Sequence, residues 1–347
     1  MKYLIMSLLL VLCCMTVAPA QQLGKFEPKV KKYGLGKLKK AKDKVYIARF
    51  NINFEVHKAS QEFKQGSKMF GGGVRGDAEA KAAVALKGIN EADLQAKTDQ
   101  LYEEFIAELK AAGLQIIGAD EAAQTKTYSK WERKSGGQIN KSQYPGVLTV
   151  RPTGYDYFVK RVNKKGKEKT GFVKNYPALS KQLGDAIIAD VDLTIMFSED
   201  GKKYFKAGGF AKVKIKTNLR LIDNYTITAP KKGIFKGAVQ TVPVRSNVAF
   251  YFGKVGMGST TAYEGILKKP LNIENIIANE KIVASAVAKS DTWGTDYGVI
   301  RVYRAENVES VQYKLIDVDS EIYSQGAYTA CKTMLDTHTK GFLEKLK

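Results

Sequence analysis

The chain has 347 residues, with 56 lysines and arginines against 35 aspartates and glutamates, two histidines and three cysteines. A formal charge of +21 asks for anionic neighbours. Two histidines exclude a histidine-rich metal site, and three cysteines exclude a disulfide framework.

Residues 1–20 carry the marks of a secretory signal: Lys2 at the start, an apolar core from Tyr3 to Val17, and the small-residue site Ala18-Pro19-Ala20. Leu12 stands before Cys13 where a lipoprotein signal wants a small residue, so cleavage after Ala20 is expected rather than lipid attachment at Cys13 or Cys14. The start Gln21-Gln22 resembles the mature termini of many exported Bacteroidota proteins. Removal of this segment leaves 327 residues, a charge of +20 and Cys331 as the single cysteine. An exported, Gram-negative cell-envelope protein is therefore expected, periplasmic or at the outer membrane.

From 21 to 44 the chain holds nine lysines against Glu27 and Asp43, with Gly34 and Gly36 interrupting any helix, which predicts a basic flexible arm. Residues 45–118 read as a strand-helix-strand unit. Val45 to Val56 alternates, with Tyr46, Ala48, Phe50, Ile52, Phe54 and Val56 on one side and Arg49, Asn51, Asn53 and Glu55 on the other. The Gly71–Gly73 loop that follows lacks the lysine and hydroxyl spacing of a P-loop. Asn90 then caps a helix reaching about Ala112, with Leu94, Leu101, Phe105, Leu109 and Ala112 as its apolar stripe and Gly113 as its stop. Leu114 to Ile117 starts a short strand.

Residues 119–347 form a mixed region around a central hairpin, 186–223, with room for a subdomain boundary between Gly118 and Tyr144. Trp131, Tyr144, Tyr155, Tyr157 and Phe158 are interleaved with Lys160, Arg161, Lys164, Lys165, Lys167, Lys169 and Lys174, and Asn163 to Gly166 reads as a turn. Gly184 ends a short helix, and an apolar strand runs from Ala186 to Phe197 towards the turn signal Ser198-Glu199-Asp200-Gly201. From Phe210 to Ile222 the period of two is clean: Val213, Ile215, Thr217, Leu219 and Leu221 share a face opposite Lys212, Lys214, Lys216, Asn218 and Arg220. Beyond Pro230, a strand is expected over Val242 to Phe252. Asn272 to Ala288 suits helix or strand, and a last helix runs from about Ser324 to Leu346, carrying Cys331 and His338 seven residues apart. The fold class expected is mixed α/β (α+β), a largely antiparallel sheet with packed helices.

No catalytic constellation stands out, and neither cofactor nor metal is expected. Asp190 and Asp192 project from an apolar strand as a carboxylate pair, and cross-strand pairing with Lys212, Lys214 or Lys216 accounts for them without catalysis. Four pieces of the chain, Val45-Tyr46-Ile47-Ala48-Arg49-Phe50, the helix Leu94 to Gly113 leading into Leu114-Gln115-Ile116-Ile117, Leu183-Gly184-Asp185-Ala186-Ile187-Ile188 and Leu219-Arg220-Leu221-Ile222-Asp223, together resemble the envelope α/β domain of the curli secretion channel protein and the amino-terminal domain of TolB. That resemblance implies a fold used in envelope assembly. The lipidated cysteine of the curli channel is replaced by Gln21, and the Thr-Gly after its final aspartate by Asn224-Tyr225. The functional expectation is a non-enzymatic envelope protein that binds an anionic lipid, lipopolysaccharide or glycan surface, or an assembly or secretion partner. The cations expected to do so are Lys25, Lys29, Lys31, Lys32, Lys37, Lys39, Lys40 and Lys42 of the arm, and Lys160, Arg161, Lys164, Lys165, Lys167 and Lys169. The alternative is a glycan- or peptidoglycan-binding or -processing protein working through the aromatic and basic stretch. Export makes nucleic acid an unexpected partner.

Overall fold

A computed structural model describes residues 22–41, 43–66, 75–170, 175–201, 209–231, 236–255, 259–293 and 302–346. The signal segment, Lys42, the Gly71–Gly73 loop, Lys174 and the side chains of Lys37, Lys39 and Lys40 lie outside that description. Half of the chain is strand and about a quarter helix, so the α+β expectation holds.

Ile187–Asp200 is the strand on which the layers are built. Its first twelve residues are buried, which suits a sequence of Ile, Ala, Val, Leu and Met with little alternation. It pairs in parallel with Lys44–Glu55 along one side. Along the other it pairs antiparallel, first with Asn247–Val255 and then with Phe210–Leu221. From there the sheet runs through Ser259–Leu267 to Pro28–Tyr33 at one edge. In the opposite direction it runs through Val147–Val150 to Asn140–Tyr144, making twelve strands in all.

Two helices cover one face. Glu91–Ala111 starts where the Asn90 side chain accepts the Ala92 N–H and stops at Gly113, whose φ of +86° suits a residue without a side chain. Leu94, Leu101, Phe105 and Leu109 are buried as the spacing predicts, while Ala112 is exposed. Beside it, Ser320–Leu346 buries Ala327, Cys331, Leu335, His338 and Phe342. Phe342 stacks on Phe250 of the sheet at 3.9 Å between ring centres, and Phe105 lies 6.3 Å from the same ring. The other face carries the short helix Tyr176–Gln182, closed by Gly184, and an aromatic cluster of Tyr46, Tyr128, Phe158, Tyr176 and Tyr251. A three-stranded sheet, His57–Lys64, Ala78–Lys87 and Val308–Asp317, packs its alanines onto the far end of the central hairpin.

Three expectations are corrected. The basic arm is not a free tether: Gln22–Leu23 pairs with Leu271–Glu274, Pro28–Tyr33 with Ser259–Leu267, and Leu38 is buried. Leu23, Phe26, Val30 and Leu38 pack on the core, and that apolar minority outweighs the lysine content. Within Lys44–Glu55 the register slips between Ile47 and Arg49, leaving Ala48 without a partner. This bulge inverts the alternation, so Val45 and Ile47 share the helix-facing core with Phe50, Ile52 and Phe54, and Tyr46 faces the other way. The Ser198-Glu199-Asp200 stretch is strand, not turn, because Glu55 accepts from Ser198 and Lys58 reaches Asp200. The sheet joins Lys44–Glu55 directly to Ile187–Asp200 and Val147–Val150, so segments on both sides of residues 118–144 contribute to one sheet.

The hairpin alternation is as read: Val213, Ile215, Thr217, Leu219 and Leu221 are buried, but Arg220 is buried too. Asn272 to Ala288 resolves into two strands, Leu271–Glu274 and Lys281–Val287. The expected strand from Val242 divides at Ser246, whose N–H donates to Asp223 O and whose hydroxyl accepts from Thr194 N–H.

Candidate functional site

The side of Lys44–Glu55 that carries Arg49, Asn51, Asn53 and Glu55 belongs to a buried polar layer. Asn53 and Glu55 are 1% exposed and Asp190 is 0% exposed. The parallel register sets Arg49 opposite Asp190 and Asn51 opposite Asp192. Arg49 donates through Nε and Nη2 to the two oxygens of Asp190 at 2.8 and 2.7 Å, and through Nη1 to Asp192 at 2.9 Å. Asn53 donates to the other oxygen of Asp192 at 2.7 Å, and the Tyr176 hydroxyl donates to Asp190 at 2.7 Å. The expected partners Lys212, Lys214 and Lys216 are therefore not the partners: they project from the far half of the hairpin, where Lys216 pairs with Glu199 at 3.5 Å.

Burial works against the Arg49 charge, and Asp190 and Asp192 outweigh it, so its pKa is raised. Burial raises the pKa of Asp192 against the pull of Arg49, with Asp190 adding to the rise. A fork donating to two carboxylates that are themselves hydrogen-bonded is a saturated arrangement. Every oxygen of the pair is engaged, leaving no carboxylate free to take a proton from a substrate.

Next to this layer the chain builds an open groove of about 520 Å³. Its floor is Arg151, 2.7 Å from Glu168, with the Tyr157 hydroxyl donating to Glu168 at 3.0 Å. Arg151 also donates to Asn51 at 2.9 Å, and Asn51 is the register neighbour of Asp192 in the buried layer. The walls present amides and hydroxyls, Gln138, Asn140, Ser142 and Ser135, with Lys134 and Lys141 among them. One wall is the hairpin Arg161–Val162/Glu168–Lys169, whose turn is held by Asn163 Oδ1 accepting from Lys165 N–H and Lys167 N–H, as the sequence predicts. Gln143 locks this hairpin to the sheet by donating to Glu168 O and accepting from Glu168 N–H.

The structure separates the expected cations into two patches. Lys160, Arg161, Lys164, Lys165 and Lys169 stand exposed on the hairpin, with Lys167 half-buried and 5.8 Å from the Tyr144 ring. Among the described residues none of these six takes part in an ion pair. Lys29, Lys31 and Lys32 are exposed on the opposite edge strand of the sheet, and Lys25 pairs with Glu27 at 3.5 Å. Lysine on an edge strand is a common guard against pairing with another chain.

The aromatic residues do not form a stacking platform. Tyr128 and Phe158 stack on each other at 4.2 Å, Trp131 abuts Tyr128 edge-on, and the Tyr157 face is covered by Arg151 at 4.1 Å. The gap between them and Arg49 holds only about 30 Å³, roughly one water volume. His57 is exposed on the three-stranded sheet, while His338 and Cys331 are buried in the last helix.

Arg49, Asn51, Arg151, Glu168 and Tyr176 join the site without having stood out in the sequence. The polar period of Arg49, Asn51, Asn53 and Glu55 is the available signal, and it reads as a solvent face because nothing local says what covers it. Compared with known proteins, the chain matches no family model, no curated protein and no solved structure.

Proposed function

We propose that the chain is an exported, non-enzymatic cell-envelope protein that binds an anionic glycan in the groove beneath the basic hairpin. The observation that carries this reading is six cations without an acid partner among the described residues, carried on a locked hairpin whose Val162, Gly166 and Glu168 line a groove walled by amides and hydroxyls. Amides and hydroxyls match the hydrogen-bonding groups of sugars, and unpaired cations on the adjoining hairpin match acidic substituents. The saturation of Arg49, Asp190 and Asp192 favours binding over hydrolysis. The envelope location rests on the signal-like residues 1–20 and on the resemblance to the curli-channel and TolB domains; an assembly partner presenting acidic groups would use the same hairpin.

The test is retention on an immobilised polyuronate against neutral dextran. Retention on the polyuronate alone, falling with added salt because exposed charges are screened within about 8–10 Å, supports the reading. Lys164→Glu with Lys165→Glu should weaken it at least tenfold. Equal retention on both polymers, or no change in the double variant, overturns it.

A further inference from the structure

A second cationic site lies on the far half of the central hairpin, away from the groove. Lys212, Lys214 and Lys216 project from one face of Phe210–Leu221, and Lys281 of the neighbouring strand stands directly opposite Lys216 in the register. Like charges set across a strand pair oppose each other. Among the described residues Lys216 pairs with Glu199 at 3.5 Å, whereas the ammoniums of Lys212, Lys214 and Lys281 take part in no ion pair. The crowding registers on Lys214: burial lowers its pKa first, and Lys281, Lys216 and Lys212 lower it further.

Lys212, Lys214 and Lys281 border a pocket of about 280 Å³ between the outer face of this strand pair, the strand His57–Lys64 and the hairpin Asn224–Pro230/Val239–Arg245. Both acids in its lining are already engaged. Asp200 accepts from Lys58 at 2.9 Å, from Ser60 at 2.9 Å and from the Tyr225 hydroxyl at 3.2 Å. Glu62 accepts from Lys212 N–H at 3.0 Å and pairs with Lys64 at 3.4 Å. The remaining wall is apolar, with Phe210, Val283 and Val239, the last 42% exposed. The backbone N–H of Gly201 donates to Lys214 O at 2.7 Å, and the Lys214 stem lies so close over Gly201 that a Cβ there would stand 2.5 Å from its Cδ. The stem is thereby positioned against Gly201, and Lys214 lines the pocket.

We propose that this pocket binds a single-chain anionic amphiphile, its carboxylate or phosphate head on Lys212, Lys214 and Lys281 and its chain against Phe210, Val239 and Val283. Neither half of the pocket explains itself alone: Val239, left 42% exposed, costs hydration, and the three ammoniums take part in no ion pair among the described residues. A ligand joining an anion to a short alkyl chain satisfies both. The volume, roughly nine water volumes at about 30 Å³ each, suits a medium-length chain. This site is distinct from the glycan groove, and each can fail without the other.

The experiment is calorimetric titration of the mature chain, below micelle formation, with decanoate, decyl phosphate, decanol, decyltrimethylammonium, acetate and inorganic phosphate. Saturable binding of decanoate or decyl phosphate, with decanol and decyltrimethylammonium at least tenfold weaker and the two short anions silent, is the expected result. The stronger of decanoate and decyl phosphate identifies the head group. Lys214→Glu with Lys281→Glu should cost at least tenfold in affinity while the thermal melt stays unchanged. Should that variant melt early, Lys281→Gln and Val239→Ser, each on an exposed position, provide the same comparison. Binding of the cationic amphiphile as tight as that of the anionic ones, or affinities within twofold in folded variants, overturns the proposal.

Discussion

Two collections of charge in this chain teach opposite lessons. Around Arg49 a few charges sit inside the protein, each oxygen and much of the guanidinium engaged by a named partner. On the hairpin from Lys160 to Lys169 a greater number of charges sit outside, with no acid among the described residues to meet them. In the linear sequence the second is conspicuous and the first nearly invisible. The energetic order is the reverse, because a charge removed from water depends on its partner, whereas a solvated lysine depends on little.

The sharpest way to break this comparison is Arg49→Ala. It strands Asp190 and Asp192 in a buried layer, and loss of one partner of a buried pair costs about 3–5 kcal/mol. Chemical denaturation should show that loss; a stability close to that of the unmodified chain would mean the layer is wetter than its burial indicates. Leu219→Ala, at a site 1% exposed on the apolar face of the hairpin, supplies the uncharged reference at about 2–5 kcal/mol. If it exceeds Arg49→Ala clearly, packing rather than charge holds the centre of the sheet.

Glu55 sharpens the same contrast through pH. Burial raises its pKa to about 7, against the pull of Lys58 and the Ser198 hydrogen bonds. Its folded pKa lies above its unfolded value, so its contribution is full below about 4.5 and is lost as pH rises through about 7. A tenfold change in a proton-binding constant is worth about 1.4 kcal/mol, so the loss amounts to a few kcal/mol. Glu55→Gln should therefore gain melting temperature relative to the unmodified chain between pH 4.5 and 7.5, and a constant difference would place the carboxylate in a more polar site. His338 acts on both proteins alike in that comparison. Burial pushes it down to about 4, so its contribution is present above about 6.5 and lost as pH falls through 4. The smallest effect is expected from Lys164→Ala with Lys165→Ala, which should leave the melting temperature where it was while weakening retention on a polyuronate. A lowered melt would assign those lysines to the fold.

Much is legible in the chain because it is local. The Asn90 cap, the stripe from Leu94 to Leu109, the Gly113 and Gly184 stops and the alternation from Val213 to Leu221 each depend on period and cap chemistry within one element. The turn at Asn163 is of the same kind, since the asparagine side chain bonds its own following backbone. The segment from Gln22 to Leu38 reads as a free arm because its lysines dominate the composition. A few apolar side chains and a row of backbone hydrogen bonds to Ser259–Leu267 decide its place instead, and that partner is distant in sequence.

By itself, then, the sequence determined the α+β class, the Asn90 cap with the Gly113 and Gly184 stops, the buried face of the central hairpin and the turn at Asn163 that presents the Lys160–Lys169 cations. Tertiary structure alone decided that Arg49 meets Asp190 and Asp192, that Arg151 closes on Glu168, and that the lysine-rich segment becomes an edge strand. The physical reason is the same in each case. Period and capping act over one element, whereas burial and ion pairing depend on which second layer covers a face; a bulge at Ala48 and a parallel register across 141 residues, from Arg49 to Asp190, set that relation here.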